Sequence, residues 1–403
     1  MTAATDNWIQ NVIRAGENRS KLEPLLEQRL KVKGKSTEVL ESFKDVTRFS
    51  VVWANELVRL SNELDTSIFL YYVDTFLQQF SIQRLSAFPH ILSSLLDQFS
   101  HHVIRAKRPL LGLSLLQPRL PDKNTITPMH AQLMRLSFEA NKCSVGLEVL
   151  DREFLSLDKC ATRNDLALFH FYGALVYIAY KEWEKADDFL AIAIEAGATQ
   201  TTTRPWIVRF AYSRRILLSL IMGTPLPKIP NPNSSEVSPS DDLLARDCHP
   251  YHALALAAHS SDPKQFVQTT EAQMETFKNE GTWQLVVTAR LCFLHGQLRE
   301  SHKAYSRVPL KDVSAASPRI LSNYGRIDES NDAFVFETVC SKDPTRETVQ
   351  LLDQVVRMKN LVEEKGIATT NTSKFLKSLH DVEQKREAPT VTLNMAISDD
   401  DML

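Results

Sequence analysis

Residues 170–197 read HFYGALVYIAYKEWEKADDFLAIAIEAG, an apolar run that breaks on charged residues halfway and resumes with small ones. Ala174, Tyr177, Trp183, Ala186, Leu190 and Ala193 fall where a helix–turn–helix repeat of about 34 residues calls for small, aromatic, aromatic, small, large and small side chains. Ala186 and Ala193 sit two turns apart on one helix face, so a neighbouring helix can approach closely there. The stretch is a packing unit without obvious chemistry. Its most apolar part, 165–180, is too short to span a bilayer, holds His170 and runs into the charged turn, so no membrane helix is expected.

Composition points the same way. A chain of 403 residues allows two or three domains with sizeable cores. Its 43% apolar content is that of an ordinary globular protein. Eleven glycines leave few tight strand turns and few phosphate-cradling loops, which favours an all-α body. The balance of 47 basic and 49 acidic residues gives a net charge of −2. A protein that neutralises many phosphates carries a basic excess, so nucleic acid is not an expected partner. Cys143, Cys160, Cys248, Cys292 and Cys340 are scattered and form no CxxC pair. That pattern fits a reducing compartment rather than a disulfide framework. The opening MTAATDNWIQNVIRAGENRS lacks a basic flank followed by an apolar core, so no secretory signal is expected.

Outward from the central repeat, DNWIQNVI, STEVLESFKDV, VVWANELVRLSNEL, SIFLYYVDTFLQQF and HILSSLLDQFSHHVI carry apolar residues at three- and four-residue spacing. Breaks fall at Gly34, at the polar stretch 61–67, at Pro89 and at Pro109. Residues 1–120 therefore read as N-terminal helical repeats, and 121–282 as TPR-like repeats interrupted by a solvated Pro/Ser-rich loop at 224–242. Asp262 and Pro263 mark a helix start. From 283 the texture changes: a helical stretch, a brief extended piece, a short helix, then two short strands, 326–328 and 333–337. This is the plan of a shortened winged helix over 283–340. Leu351, Val355, Met358 and Val362 form a heptad-like seam in C-terminal bundling helices over 341–386, followed by an acidic flexible tail at 387–403.

A helical-repeat superhelix running into a small winged helix and a C-terminal helix resembles the PCI-domain family. Its members are helical scaffold subunits of the proteasome lid, the COP9 signalosome and a translation initiation factor complex. The residues that carry the likeness are RPLLGLSLL at 108–116, ITPMHAQLMRLSFEANKCSVGLEVLD at 126–151 and FYGALVYIAYKEWEKADDFLAIAI, then PYHALA at 250 and METFKNEGTWQLV at 274. Within the family this ordered set is most similar to a signalosome subunit. One departure stands out: the family places two helices between the first strand and the hairpin of the wing. Here VPLKDVSAASPRILSNYG leaves room for little more than one.

The resemblance implies a non-catalytic scaffold in the nucleus and cytoplasm. Its partners would be other signalosome subunits, of the PCI and metalloprotease types, and indirectly cullin-RING ubiquitin ligases. The rival readings are a proteasome-lid scaffold and an mRNA- or translation-linked PCI adaptor. The wing edge, through Ile327, Phe334 and Phe336, is a candidate for strand addition to another subunit. The plainer alternative is that Phe334 and Phe336, alternating onto one face, pack the wing onto its own helices. The seam of Leu351, Val355, Met358 and Val362 is expected to bundle with helices of other subunits.

Sharper motifs fade on inspection. GKST at 34–37 has Arg29 where a P-loop needs its first glycine, and no strand precedes it. Cys248, His249 and His252 lack a second ligand pair for a closed zinc site, and Tyr251 and His252 are expected to pack a repeat. His101 and His102 read as a solvated helix end. The zinc isopeptidase implied by the resemblance uses a His-x-His pair, which this sequence lacks, along with HExxH and GxSxG. No catalytic residue, metal or cofactor is expected.

Overall fold

The computed structural model describes residues 3–16, 18–29, 36–121, 124–152, 154, 156–198, 205–227, 244, 246–260, 262–310, 321, 324–328 and 333–336. They fall into two compact units that divide at 121/122. No helix among them is long and apolar enough to cross a membrane.

The first unit holds helices α1 (Ala3–Ala15), α2 (Arg19–Arg29), α3 (Ser36–Ser42), α4 (Ser50–Leu60), α5 (Thr66–Gln79), α6 (Ile82–Leu85), α7 (Pro89–Arg105) and α8 (Pro109–Leu116). Pro89 and Pro109 each begin a helix, where a missing N–H costs nothing. α2 continues through Pro24 yet buries Leu22, Leu26 and Arg29 on one face. Both nitrogens of the Arg29 fork reach the Glu56 carboxylate on α4, Nε at 3.0 Å and Nη2 at 3.2 Å, and both side chains are fully buried. The Trp8 ring lies 5.3 Å from the same guanidinium. Such a pair adds little net stability over an apolar pair, but losing one partner would leave the other charge buried and uncompensated. Ser36 and Thr37 of GKST lie in the first turn of α3, while Gly34 and Lys35 lie outside the described residues.

The second unit continues with α9 (Pro128–Glu139), α10 (Cys143–Leu150), α11 (Arg163–Ala179), α12 (Trp183–Ala198), α13 (Pro205–Met222), α14 (His249–His259), α15 (Pro263–Ala272), α16 (Met274–Asn279) and α17 (Trp283–Ala304). A two-residue parallel pairing joins β1 (Thr125–Ile126) to β2 (Ser156–Leu157). α11 and α12 are the hairpin foreseen at 170–197: Ala174, Tyr177, Ala186, Leu190 and Ala193 are buried, and Trp183 is half-buried. Helix starts are capped locally. Thr162 and Asp165 close a reciprocal box on α11, and the Asp262 carboxylate accepts from the Lys264 N–H at 2.9 Å.

Among the described residues, one backbone turn joins consecutive helices four times. Lys107, Asn141, Lys181 and Gly281 adopt φ of 56, 54, 62 and 67°. The next residue in each case donates its N–H to a carbonyl five positions back: Arg108 to Val103 at 2.8 Å, Lys142 to Ser137 at 2.7 Å, Glu182 to Tyr177 at 3.0 Å and Thr282 to Phe277 at 2.9 Å. This is the left-handed helix stop that satisfies orphan carbonyls. A new helix opens two residues after each left-handed residue, at Pro109, Cys143, Trp183 and Trp283.

Candidate interaction surface

α17 connects the repeats to the last part of the unit. Leu285, Val286 and Ala289 are buried along its first half, and Phe293 stacks on Phe266 of α15 with ring centroids 4.5 Å apart. Leu294 and Leu298, one turn apart on its second half, join Leu321, Phe334 and Phe336 in a separate small core. Val308, Leu310 and Tyr324 pack against that core. His295 Nδ1 lies 2.8 Å from the Tyr324 hydroxyl. Burial, reinforced by Arg299, lowers the His295 pKa.

The sheet over this helix consists of β3 (Arg307–Pro309), β4 (Gly325–Asp328) and β5 (Ala333–Phe336), in the order β3-β5-β4 and antiparallel throughout. A first strand followed later by a hairpin whose second strand lies centrally is the strand arrangement of a winged helix. Val308, Phe334 and Ile327 are in register, so they share a face. Arg307, Val335 and Arg326 occupy the other. Gly325 has a steric reason to be glycine: a Cβ there would run into the Val335 carbonyl.

The three wing residues singled out as contact candidates separate here. Phe334 and Phe336 are 0% and 8% exposed, and their rings meet edge-on at 5.1 Å. They pack into the wing's own core with Leu294 and Leu298 of α17, the plainer of the two readings, and β5 lies between two strands rather than at an edge. Ile327 lies on the edge strand β4 and is 42% exposed. Tyr305, at the end of α17, is also exposed. The remaining candidates, Leu351, Val355, Met358 and Val362, lie outside the described residues.

Other sequence candidates resolve into packing. Tyr251 is buried, with its hydroxyl 2.6 Å from Glu280 and 2.8 Å from Thr282, and the His252 ring lies against Tyr212. Burial pushes the Cys248 and Cys160 thiols up to about 12, which leaves them protonated at neutral pH. His102 sits against Phe69, while His101 reaches out toward Asp97. Among the described residues, no three His, Cys, Asp or Glu side chains converge as a metal-holding group. The sequence reading missed two polar arrangements. One is the Tyr251–Glu280 network with Arg209, whose guanidinium lies 3.4 Å from the Glu280 carboxylate. The other is a cleft beside Trp183, signalled only by the charged KEWEKADD turn.

Helix pairs joined by a repeated turn, followed by a small three-stranded sheet, define a helical-repeat protein. Residues 14–237 match the family described as COP9 signalosome complex subunit 3, N-terminal helical repeats. The chain belongs to this family. It is 17% identical to the COP9 signalosome complex subunit 3 of Dictyostelium discoideum over 288 residues, 69% of this chain and 68% of that protein. It is 22% identical to the subunit of the same name from Drosophila melanogaster over 239 residues, 54% of this chain and 52% of that one. The chain thus spans about half the length of the fruit-fly relative.

Proposed function

We propose that this protein is a non-catalytic PCI-type scaffold subunit of the COP9 signalosome, the complex that removes the ubiquitin-like modifier NEDD from the cullins of ubiquitin ligases. The observation that carries the reading is the match of residues 14–237 to the subunit 3 repeats, over a region whose described residues are helix pairs joined by the recurrent turn. In this role the chain orients neighbouring subunits and contributes no reacting group. β4 is an outer strand of the described sheet and carries the exposed Ile327, a position from which a sheet can be extended by a strand of another chain. The apolar seam of Leu351, Val355, Met358 and Val362 would join a bundle with helices of other subunits. The protein would act in the nucleus and cytoplasm, in a complex with PCI and metalloprotease subunits and, indirectly, with cullin-RING ligases.

Affinity purification of the tagged chain from its own cells tests this directly. Signalosome subunits, the isopeptidase and cullins are expected by mass spectrometry. Recovery of proteasome-lid subunits, translation factors or nucleic acid in their place would overturn the assignment. A chain lacking residues 344–403 should recover fewer signalosome subunits in the same experiment while its helical repeats stay folded.

A further inference from the structure

The second unit has a cleft of about 680 Å³, within the ~300–1,000 Å³ range of binding pockets. It is lined by the α11–α12 turn, the first turns of α12, the end of α13 and the exit segment Thr224–Pro227. Its walls are held in place. Asp187 on α12 takes both prongs of the Arg215 guanidinium on α13 at 2.8 Å. The Ser219 hydroxyl donates to the Arg215 carbonyl, and the Tyr212 hydroxyl donates to the Pro227 carbonyl at 3.3 Å. A preformed cleft avoids much of the ordering cost of binding.

Its chemistry is two-sided. Trp183, Met222, Pro225 and Pro227 supply apolar surface, and four carboxylates, Glu182, Glu184, Asp187 and Asp188, face two cations, Lys181 and Arg215. Asp187 is neutralised by Arg215, and Glu182 lies 3.6 Å from Lys185. Glu184 and Asp188 are exposed, and neither has an ion-pair partner among the described residues. They sit four residues apart on one helix face, which lets both carboxylates address one cation. Glu184 lies in the first turn of α12, where the helix dipole favours negative charge.

We propose that this cleft docks a short linear segment of a partner protein through a lysine or arginine. The aliphatic stem of that residue would lie against Trp183, and its cation would pair with Glu184 and Asp188. An aromatic ring beside paired carboxylates suits such a side chain, since it offers apolar contact, attraction to the cation and ion pairing together.

The test uses the full-length chain and short fluorescein-labelled peptides that differ only in a central arginine, lysine, alanine or glutamate, read by fluorescence anisotropy. The arginine and lysine peptides should bind, and binding should weaken as salt rises. Glu184→Lys combined with Asp188→Lys should reduce affinity by about tenfold or more, with only a small fall in the thermal midpoint because both side chains are exposed. Glu184→Gln with Asp188→Asn, which preserves shape, should give a smaller loss. Equal binding of all four peptides, no binding of any, or binding unaffected by both double variants would overturn the proposal. The readout does not depend on which complex the chain joins, so it succeeds or fails separately from the scaffold assignment.

Discussion

The α11–α12 hairpin and the terminal wing solve the burial problem in opposite ways. In the hairpin, Ala174, Tyr177, Ala186, Leu190 and Ala193 come from one continuous stretch and pack across a single tight turn. The wing's core gathers Leu294 and Leu298 from α17, Val308 from β3, Leu321, and Phe334 and Phe336 from β5. Its register also depends on a central strand that comes last in sequence. Local packing needs only periodicity and a turn. Non-local packing must close loops before its contacts form, so it is the more easily disrupted.

Three experiments would break or sharpen that contrast. The largest effect is expected from Phe334→Ala, which removes a ring that is 0% exposed from a core of few side chains. It should destabilise the wing by about 3–5 kcal/mol. Hydrogen exchange should then quicken in β3, β4, β5 and the last turns of α17 while α11 and α12 keep their protection. Equal loss in both regions would mean that they unfold together.

The second probe is acid. His130, fully buried in α9, closes a capping box by accepting the Thr127 N–H at Nδ1, 3.1 Å away. Burial, aided by Arg152, lowers its pKa from 6.5 to about 4. Between those values the unfolded chain binds the proton and the folded chain does not, so stability is complete above pH 6.5 and falls as pH drops toward 4. The loss at this site should be about 3 kcal/mol. His130→Gln keeps an acceptor for the Thr127 N–H and should flatten the decline in thermal midpoint. The remaining slope would belong to His170 and the other histidines whose pKa burial lowers. An unchanged slope in the variant would show that the His130 cap does not govern the acid response.

The smallest effect concerns the turn. Lys181 holds φ at 62°, which costs a side-chain-bearing residue about 1–2 kcal/mol. Glycine removes that strain but gains freedom in the unfolded chain, so Lys181→Gly should stabilise by about 0.5–1 kcal/mol. Calorimetry should register a small rise in melting temperature. A fall would show that Lys181 contributes contacts beyond the turn.

The helical body and its breaks were legible because apolar spacing and proline position act over a few residues. α1, α3, α4, α5 and α7 lie where the periodic stretches predicted them. α2 was harder to see because Pro24 interrupts the usual helix signal. The recurrent turn was hidden because three of its four left-handed residues are Lys or Asn rather than Gly. Alternation along 333–336 placed Phe334 and Phe336 on one face, but could not tell that β5 would lie between two neighbours.

By itself, then, the sequence determined that this is a chain of short amphipathic helices with a strand hairpin near residue 330, since those choices are settled within one or two turns of chain. Only the tertiary structure decided that Ile327 stays at an edge while the phenylalanines turn inward. It also decided that Asp187 meets Arg215 and leaves Glu184 and Asp188 facing an open cleft. Those outcomes depend on which distant segment arrives as a neighbour, and no local pattern encodes the identity of that segment.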